Sequence, residues 1–243
     1  MKIVAIIQAR MGSTRLPGKV MKEVLGKSLL EYQIERVNRS QSIQSLVVAT
    51  TQRETEQPII DLCEKLAVPC FRGAEEDVLE RFYEAAIHYE ADAIVRLTSD
   101  CPLIDPLIID KVVNEFRNSR RYDYLSNTIK RTYPRGFDIE ILSMEALKQC
   151  HRETTNTGYR EHVTPFLYKH PERFNIGQVT HSSSLQHYRL TVDTEEDLTL
   201  VRLIIEHLYN KNQSFSLEDI LYLLQKNPEW NLLNSHVEQK EVL

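Results

Sequence analysis

Ile3-Val4-Ala5-Ile6-Ile7-Gln8-Ala9-Arg10-Met11-Gly12-Ser13-Thr14-Arg15-Leu16-Pro17-Gly18-Lys19 runs an unbroken apolar segment straight into a basic loop with two glycines. An apolar run with no polar alternation is the pattern of a strand covered on both faces, and so of a sheet held between helices. A helical pattern follows at 29–37, and the alternation then recurs. Residues 45–50 (SLVVAT), 68–71 and 93–97 (AIVRL) read as further strands, and 58–66, 78–89 and 107–116 as helices. Within 78–89, Val78, Leu79, Phe82, Ala85, Ala86 and Tyr89 fall on one helical stripe. This rhythm predicts an α/β, Rossmann-like fold with a mostly parallel central sheet and helices on both faces. Ligands of such sheets sit beyond the C-terminal ends of the strands, which points to the loops after Ile7, Thr50, Phe71 and Leu97.

From about residue 120 the rhythm changes. Short β-like pieces at 137–141 and 174–179 and a helix at 164–168 predict a small β-containing insertion over 120–185, within one domain spanning 1–243. Residues 188–192 (YRLTV) read as a strand, Asp193-Thr194-Glu195-Glu196 as the start of a helix, and Leu217, Ile220, Leu221 and Leu224 as a last helix. The tail from 234 is expected to fray.

Composition narrows the function classes. Of 243 residues 42% are hydrophobic and 27% charged, which fits an ordinary globular chain and excludes disordered and fibrous classes. A net charge of −5 argues against an extended surface for nucleic acid or acidic lipid. Cys63, Cys70, Cys101 and Cys150 lack zinc-site and CxxC spacing, and they read as thiols in a reducing cytoplasm. No stretch approaches the roughly 20 apolar residues of a membrane span.

The first loop departs from that acidic average. Residues 1–22 carry Lys2, Arg10, Arg15, Lys19 and Lys22 and no acidic residue. Directly after a strand, Gly12 lets backbone approach phosphate oxygens, Ser13 adds a hydroxyl, and Arg10, Arg15 and Lys19 supply charge-assisted hydrogen bonds. The spacing is not that of a P-loop, because five residues separate Gly12 from Gly18 and Val20 follows Lys19. Asp100 lies just past the 93–97 strand, where one carboxylate plus substrate phosphates can hold Mg²⁺ and where an Asp can equally serve as a cap or turn residue. Asp193 ends another predicted strand, whereas Glu195, Glu196 and Asp197 read as ordinary caps and dipole partners of a helix.

Taken in order, QARMGSTRLPGK, VVATT, FRG, RLTSDCPLIDP, REHVTPFLYKHPERF and RLTVDTEEDL resemble the cytidylyltransferase (CMP-sugar synthetase) family over residues 3–208, and within it a branch tied to spore coat polysaccharide biosynthesis. The resemblance implies a nucleotide-diphospho-sugar transferase fold of the glycosyltransferase-A type. The implied activity is Mg²⁺-dependent transfer of CMP from CTP to an acidic sugar of the nonulosonic type, with release of pyrophosphate, in a cytoplasmic homodimer. It implies that Arg10, Ser13, Arg15 and Lys19 bind the triphosphate, with Arg15 and Lys19 acting on the leaving group. Asp100 and Asp193 are implied to hold the metal, and Gln8 and Arg72 to lie where relatives contact the nucleotide. The insertion becomes the sugar-binding or dimerising part, with Tyr133, Arg135, Asp138, Glu140, Arg160 and His162 as its polar groups. Two other readings stand beside this one. A glycosyltransferase of the same fold usually presents an Asp-x-Asp motif, which Asp100-Cys101-Pro102 does not supply, and a nucleotide-binding module would bind without turnover.

Overall fold

The computed structural model describes residues 1–119 and 121–239. The opening segment is the central strand β1 (Ile3–Gln8). Its uniform apolarity follows from its place: Ile3, Ala5 and Ile7 enter one hydrophobic core and Val4 and Ile6 the other, all without exposure. Each of the Ile and Val side chains contributes about 2 kcal/mol on burial. A two-stranded ribbon, β2 (Glu23–Val24) and β3 (Lys27–Ser28), leads to α1 (Leu29–Val37), which Ser28 caps by accepting from the Glu31 N–H. There follow β4 (Ser45–Thr51), α2 (Gln57–Lys65), β5 (Cys70–Gly73), α3 (Val78–His88), β6 (Ala93–Thr98) and α4 (Pro106–Ser119). The third predicted strand is thus displaced two residues toward the C-terminus.

The second half adds β7 (Tyr124–Ser126), β8 (Glu140–Ser143), α5 (Met144–Glu153), α6 (Thr157–His162), α7 (Pro165–Tyr168) and β9 (Ile176–Gln178). It closes with α8 (Glu195–Leu208) and α9 (Leu217–Lys226). The main sheet has the order β5-β4-β1-β6-β8-β7-β9. β5, β4, β1 and β6 are parallel, β8 is antiparallel to both its neighbours, and β9 is parallel to β7. The sheet is therefore mixed and mostly parallel. Helices α1, α2, α4, α8 and α9 pack on one face, and α3, α5 and α7 on the other.

Residues 188–192 do not form the expected strand. Leu190 and Val192 are buried as a strand's would be, but the only ladder contact there is an isolated bridge between Arg135 and Arg189. Of the tail expected to fray, 240–243 lie outside the described residues and 235–239 form no helix or strand, but the first residue of the tail is held in place. Asn234 is buried, and its Nδ2 donates to the Arg189 carbonyl (2.9 Å) and to Asp197 Oδ1 (2.8 Å).

A polar clamp ties the ribbon to both α1 and the end of α8. Lys27 Nζ donates to Glu35 and to Tyr209 Oη (2.8 Å), and Tyr209 Oη donates to Glu35 Oε2 (2.7 Å). Burial would raise the Glu35 carboxyl, but the hydrogen bonds from Lys27 and Tyr209 and the Lys27 charge outweigh it and hold the group below its ordinary 4.5. A carboxyl depressed on folding stabilises above its unfolded value, and that contribution is lost as pH falls through the folded value. Glu35→Gln should cost roughly 1 kcal/mol at pH 7 and give a shallower loss of stability below pH 4.5, read from urea midpoints across pH. An acid limb as steep as the parent's would remove Glu35 from that role.

Candidate functional site

The sheet register fixes where the loops meet. Gln8 at the end of β1 pairs with Ala49 on β4 and with Thr98 on β6, so the loops after β1 and β6 leave the sheet side by side. The first loop is pinned at both ends. Leu16 and Val20 are buried, Gly18 turns the chain at φ +65°, and Met11 N–H donates to the buried Glu56 (2.8 Å), which also accepts from Thr50 Oγ1 (3.1 Å). Between these anchors the main-chain N–H groups of Gly12, Ser13 and Thr14 donate to no protein atom among the described residues. The space beside the Gly12 α-carbon is open. Arg10 and Arg15 are exposed on this loop. Free N–H groups, open space and cations together form an anion cradle.

Lys19 crosses from this loop to the far end of the chain. Its Nζ donates to the Val192 carbonyl (2.9 Å) and to Asp193 Oδ1 (2.8 Å), and stands 3.8 Å from Asp100 Oδ2. Arg15 pairs with Asp193 Oδ2 at 2.9 Å, and Arg189 reaches the same oxygen at 3.1 Å. Burial pushes the Asp193 carboxyl up, but Lys19, Arg15 and Arg189 offset this and hold it below the usual carboxylate range. Asp100 is held differently. Thr98 Oγ1 donates to its Oδ1 (2.5 Å), while its carbonyl accepts from Val192 N–H (2.8 Å) and Thr191 Oγ1 (3.0 Å). The main chain of Asp100 thus docks residues 191–192 and brings the two carboxylates to one ammonium.

Among the described residues no group of three or more His, Cys, Asp or Glu is placed to cage a metal. The donor set nevertheless suits a hard cation that takes one or two carboxylates and completes its shell from water and phosphate. Asp100 is partly exposed, and its Oδ2 has no hydrogen-bond donor closer than the 3.8 Å ammonium.

A cavity of about 900 Å³ opens from this centre toward the insertion. Its lining includes Arg15, Asp100 and Asp193 together with Arg135, Asp138, Glu140 and His162. Arg131 grips Asp138 through two bonds (2.5 and 2.8 Å). Arg96 pairs with the buried Glu140, which also accepts from Tyr124 Oη (2.5 Å) and Thr164 Oγ1 (2.6 Å). The Arg135 guanidinium, by contrast, has no hydrogen bond or ion pair among the described residues. Burial, with Arg96 adding to it against Glu161 and Glu140, lowers the His162 imidazolium.

The remaining predicted residues stand apart from this lining. Tyr133 is buried, with its hydroxyl accepting from Lys111 Nζ (3.1 Å). Arg160 is occupied by Asp77, the N-cap of α3, and by the His151 and Thr154 carbonyls. Arg72 donates to the carbonyls of 51–53 at the end of β4, its shortest bond being to Gln52 (2.7 Å). Gln8 Oε1 is buried without a partner, an acceptor that a ligand donor can fill.

Sequence reasoning missed Glu56, Arg96, Arg131, Arg189 and Gln239. Only Arg96 carried a signal, as a charge inside the otherwise apolar AIVRL strand. The capping reading of Asp197 is correct, since Thr194 and Asp197 form a reciprocal capping box on α8.

The cytidylyltransferase family model matches residues 4–238. The spore coat polysaccharide biosynthesis protein SpsF of Bacillus subtilis (strain 168) is 33% identical over 235 residues, covering 93% of this chain and 95% of that protein. The 3-deoxy-manno-octulosonate cytidylyltransferase of Chlamydia trachomatis serovar A is 28% identical over 176 residues, covering 70% of this chain and 66% of that one. A solved cytidylyltransferase from Leptospira borgpetersenii serovar Hardjo-bovis superposes with a TM-score of 0.91 at 34% identity, covering 99% of each chain.

Proposed function

The chain belongs to the cytidylyltransferase family, and on that premise we propose that it transfers CMP from CTP to an acidic sugar, releasing pyrophosphate, for a surface polysaccharide of the spore coat kind. The observation that carries this reading is the meeting of Lys19 with Asp193 and Asp100, which joins a cationic anion cradle to two carboxylates. The names of the Bacillus and Chlamydia relatives support the polysaccharide and the acidic sugar.

The triphosphate enters the cradle of Gly12, Ser13 and Thr14, and Arg10, Arg15 and Lys19 turn to its oxygens. That turn releases Asp193 from two of its three cations, while Arg189 stays in place. Mg²⁺, held by Asp100 and Asp193 and by phosphate oxygens, would neutralise charge on the reacting phosphate. A sugar hydroxyl then attacks the α-phosphorus in line, its oxygen forming the new P–O bond and its proton passing to solvent as the bond to the bridging oxygen of pyrophosphate breaks. Arg15 and Lys19 take up the charge on the departing pyrophosphate. Gln8 and Arg72 border the nucleotide, the sugar lies in the cavity, and a homodimer through the insertion is the expected assembly, to be read by light scattering.

Arg135 gives the acidic sugar its binding partner. Among the described residues it is the arginine of the cavity with no carboxylate already on it, and a charge-assisted bond is worth about 1.5–3 kcal/mol. Arg135→Ala should raise KM for the acidic sugar by roughly 10- to 100-fold and leave KM for CTP unchanged; an equal rise for both would show general damage.

The direct test measures pyrophosphate release from CTP, UTP, ATP and GTP with 3-deoxy-manno-octulosonate and other acidic sugars. Release from CTP only when sugar is present is expected. Tight nucleotide binding with no release under any pairing would reduce the protein to a binding module.

A further inference from the structure

The Arg189–Asp197 pair behind Asp193 is buried. Arg189 Nε donates to Asp197 Oδ1 (2.8 Å) and Nη2 to Asp197 Oδ2 (2.9 Å), and the second oxygen also accepts from Asp193 N–H (2.9 Å) and Thr194 N–H (3.2 Å). Asp197 is thus the seat of both the Asp193 main chain and the guanidinium that touches the Asp193 carboxylate. Two residues from the far end of the chain complete this seat. Asn234 spends its amide on the Arg189 carbonyl and Asp197 Oδ1, and Gln239 Oε1 accepts from Arg189 Nη1 (2.6 Å) while its side chain lines the large cavity. Among the described residues four of the five N–H donors of Arg189 are then placed, with Nη2 shared between Asp197 and Asp193 Oδ2.

We propose that the C-terminal segment 234–239 is a working part of the site, in which Asn234 is a positioning residue that sets the Asp193 carboxylate through Asp197 and Arg189, with Gln239 as the outer clasp. This rests on the nucleotidyltransferase reading and adds to it. When the phosphates draw Lys19 and Arg15 away, Arg189 is the cation that remains on Asp193. A guanidinium free to swing would follow the incoming anion and leave the carboxylate without an orientation. Asn234 prevents this by holding both the main chain of Arg189 and the acceptor that Arg189 grips.

Asn234→Asp tests the claim because it keeps the side-chain shape but sets a carboxylate against two acceptors. CTP affinity in EDTA, measured by calorimetry, should stay within about twofold of the parent. Mn²⁺ binding to the CTP-loaded protein, followed by electron paramagnetic resonance, should weaken about tenfold, and kcat should fall with little change in KM for CTP. Gln239→Ala, at the outer end of the segment, should weaken Mn²⁺ about threefold with an unchanged melting temperature, and it carries the test if Asn234→Asp does not fold. The inference is overturned if either variant that folds binds Mn²⁺ as the parent does. It is overturned equally if metal-free CTP affinity collapses in parallel, since that is the mark of a mere brace. A parent protein that binds neither CTP nor Mn²⁺ would instead bring down the functional reading, and this inference with it.

Discussion

Asp100→Ala is expected to lower Mg²⁺-dependent pyrophosphate release by about 10³-fold or more while the protein still folds. The size follows from what the carboxylate does: losing several kcal/mol of charge stabilisation at a reacting phosphate costs about a factor of ten for each 1.4 kcal/mol. The fold should survive because the load-bearing contacts of this residue are not made by its side chain. Its carbonyl accepts from Val192 N–H and Thr191 Oγ1, and these bonds persist in alanine. What is lost is the Thr98 hydroxyl's partner in a partly exposed setting, a matter of about 1 kcal/mol. Turnover and thermal melting measured on the same preparation separate the two. Undiminished turnover would take Asp100 out of the mechanism, and a collapsed melting curve would mean that the side chain supports the loop after β6.

The parts of this molecule legible in its sequence are those where burial or charge is local. β1 could be read because both faces of one strand are packed, and the first loop because five cations gather by residue 22 in a chain of net charge −5. Asp193 could be found even though its supposed strand is not one. Burial of 189–192 gives the segment a β-like pattern, yet its main-chain hydrogen bonds go to scattered partners, Arg135, Asp100, Lys19 and Asn234, and not into a ladder. α5 and α6 escaped notice because α5 buries only Ala146, Leu147 and Cys150, and α6 buries only Gly158, too little for a stripe. The pairs Arg131–Asp138 and Arg96–Glu140, and the hold of Asn234 on residues 189 and 197, join positions that only the folded chain brings together. A charged residue has no periodic signature of its partner.

The second large effect is structural and falls on Gly136. Gly136 sits at φ +98°, a backbone region that side-chain-bearing residues rarely adopt, and a β-carbon placed there would lie 2.4 Å from the Leu190 carbonyl oxygen and 2.8 Å from the Thr191 nitrogen. Both obstacles are main chain, so no rotamer can relieve them. The close approach is what the site is built on. Arg135 N–H donates to the Tyr188 carbonyl (3.1 Å) and Leu190 N–H to the Arg135 carbonyl (2.8 Å), which lays the chain around Arg135 against the segment carrying Arg189. That contact sets Arg135, which lines the cavity, beside Arg189, whose guanidinium holds the Asp193 carboxylate on the same cavity's wall. Gly136→Ala must either push the 188–192 segment away, breaking these bonds and the docking of Val192 on Asp100, or accept the overlap. We expect a loss of about 3 kcal/mol or more, from left-handed strain together with the broken main-chain bonds. Urea unfolding should show a lowered midpoint, and the folded remainder should bind CTP while losing sugar-dependent turnover. A variant as stable and active as the parent would mean that residues 188–192 can move off Gly136 freely, and the register between Arg135 and Arg189 would then not be what aligns the two halves of the site.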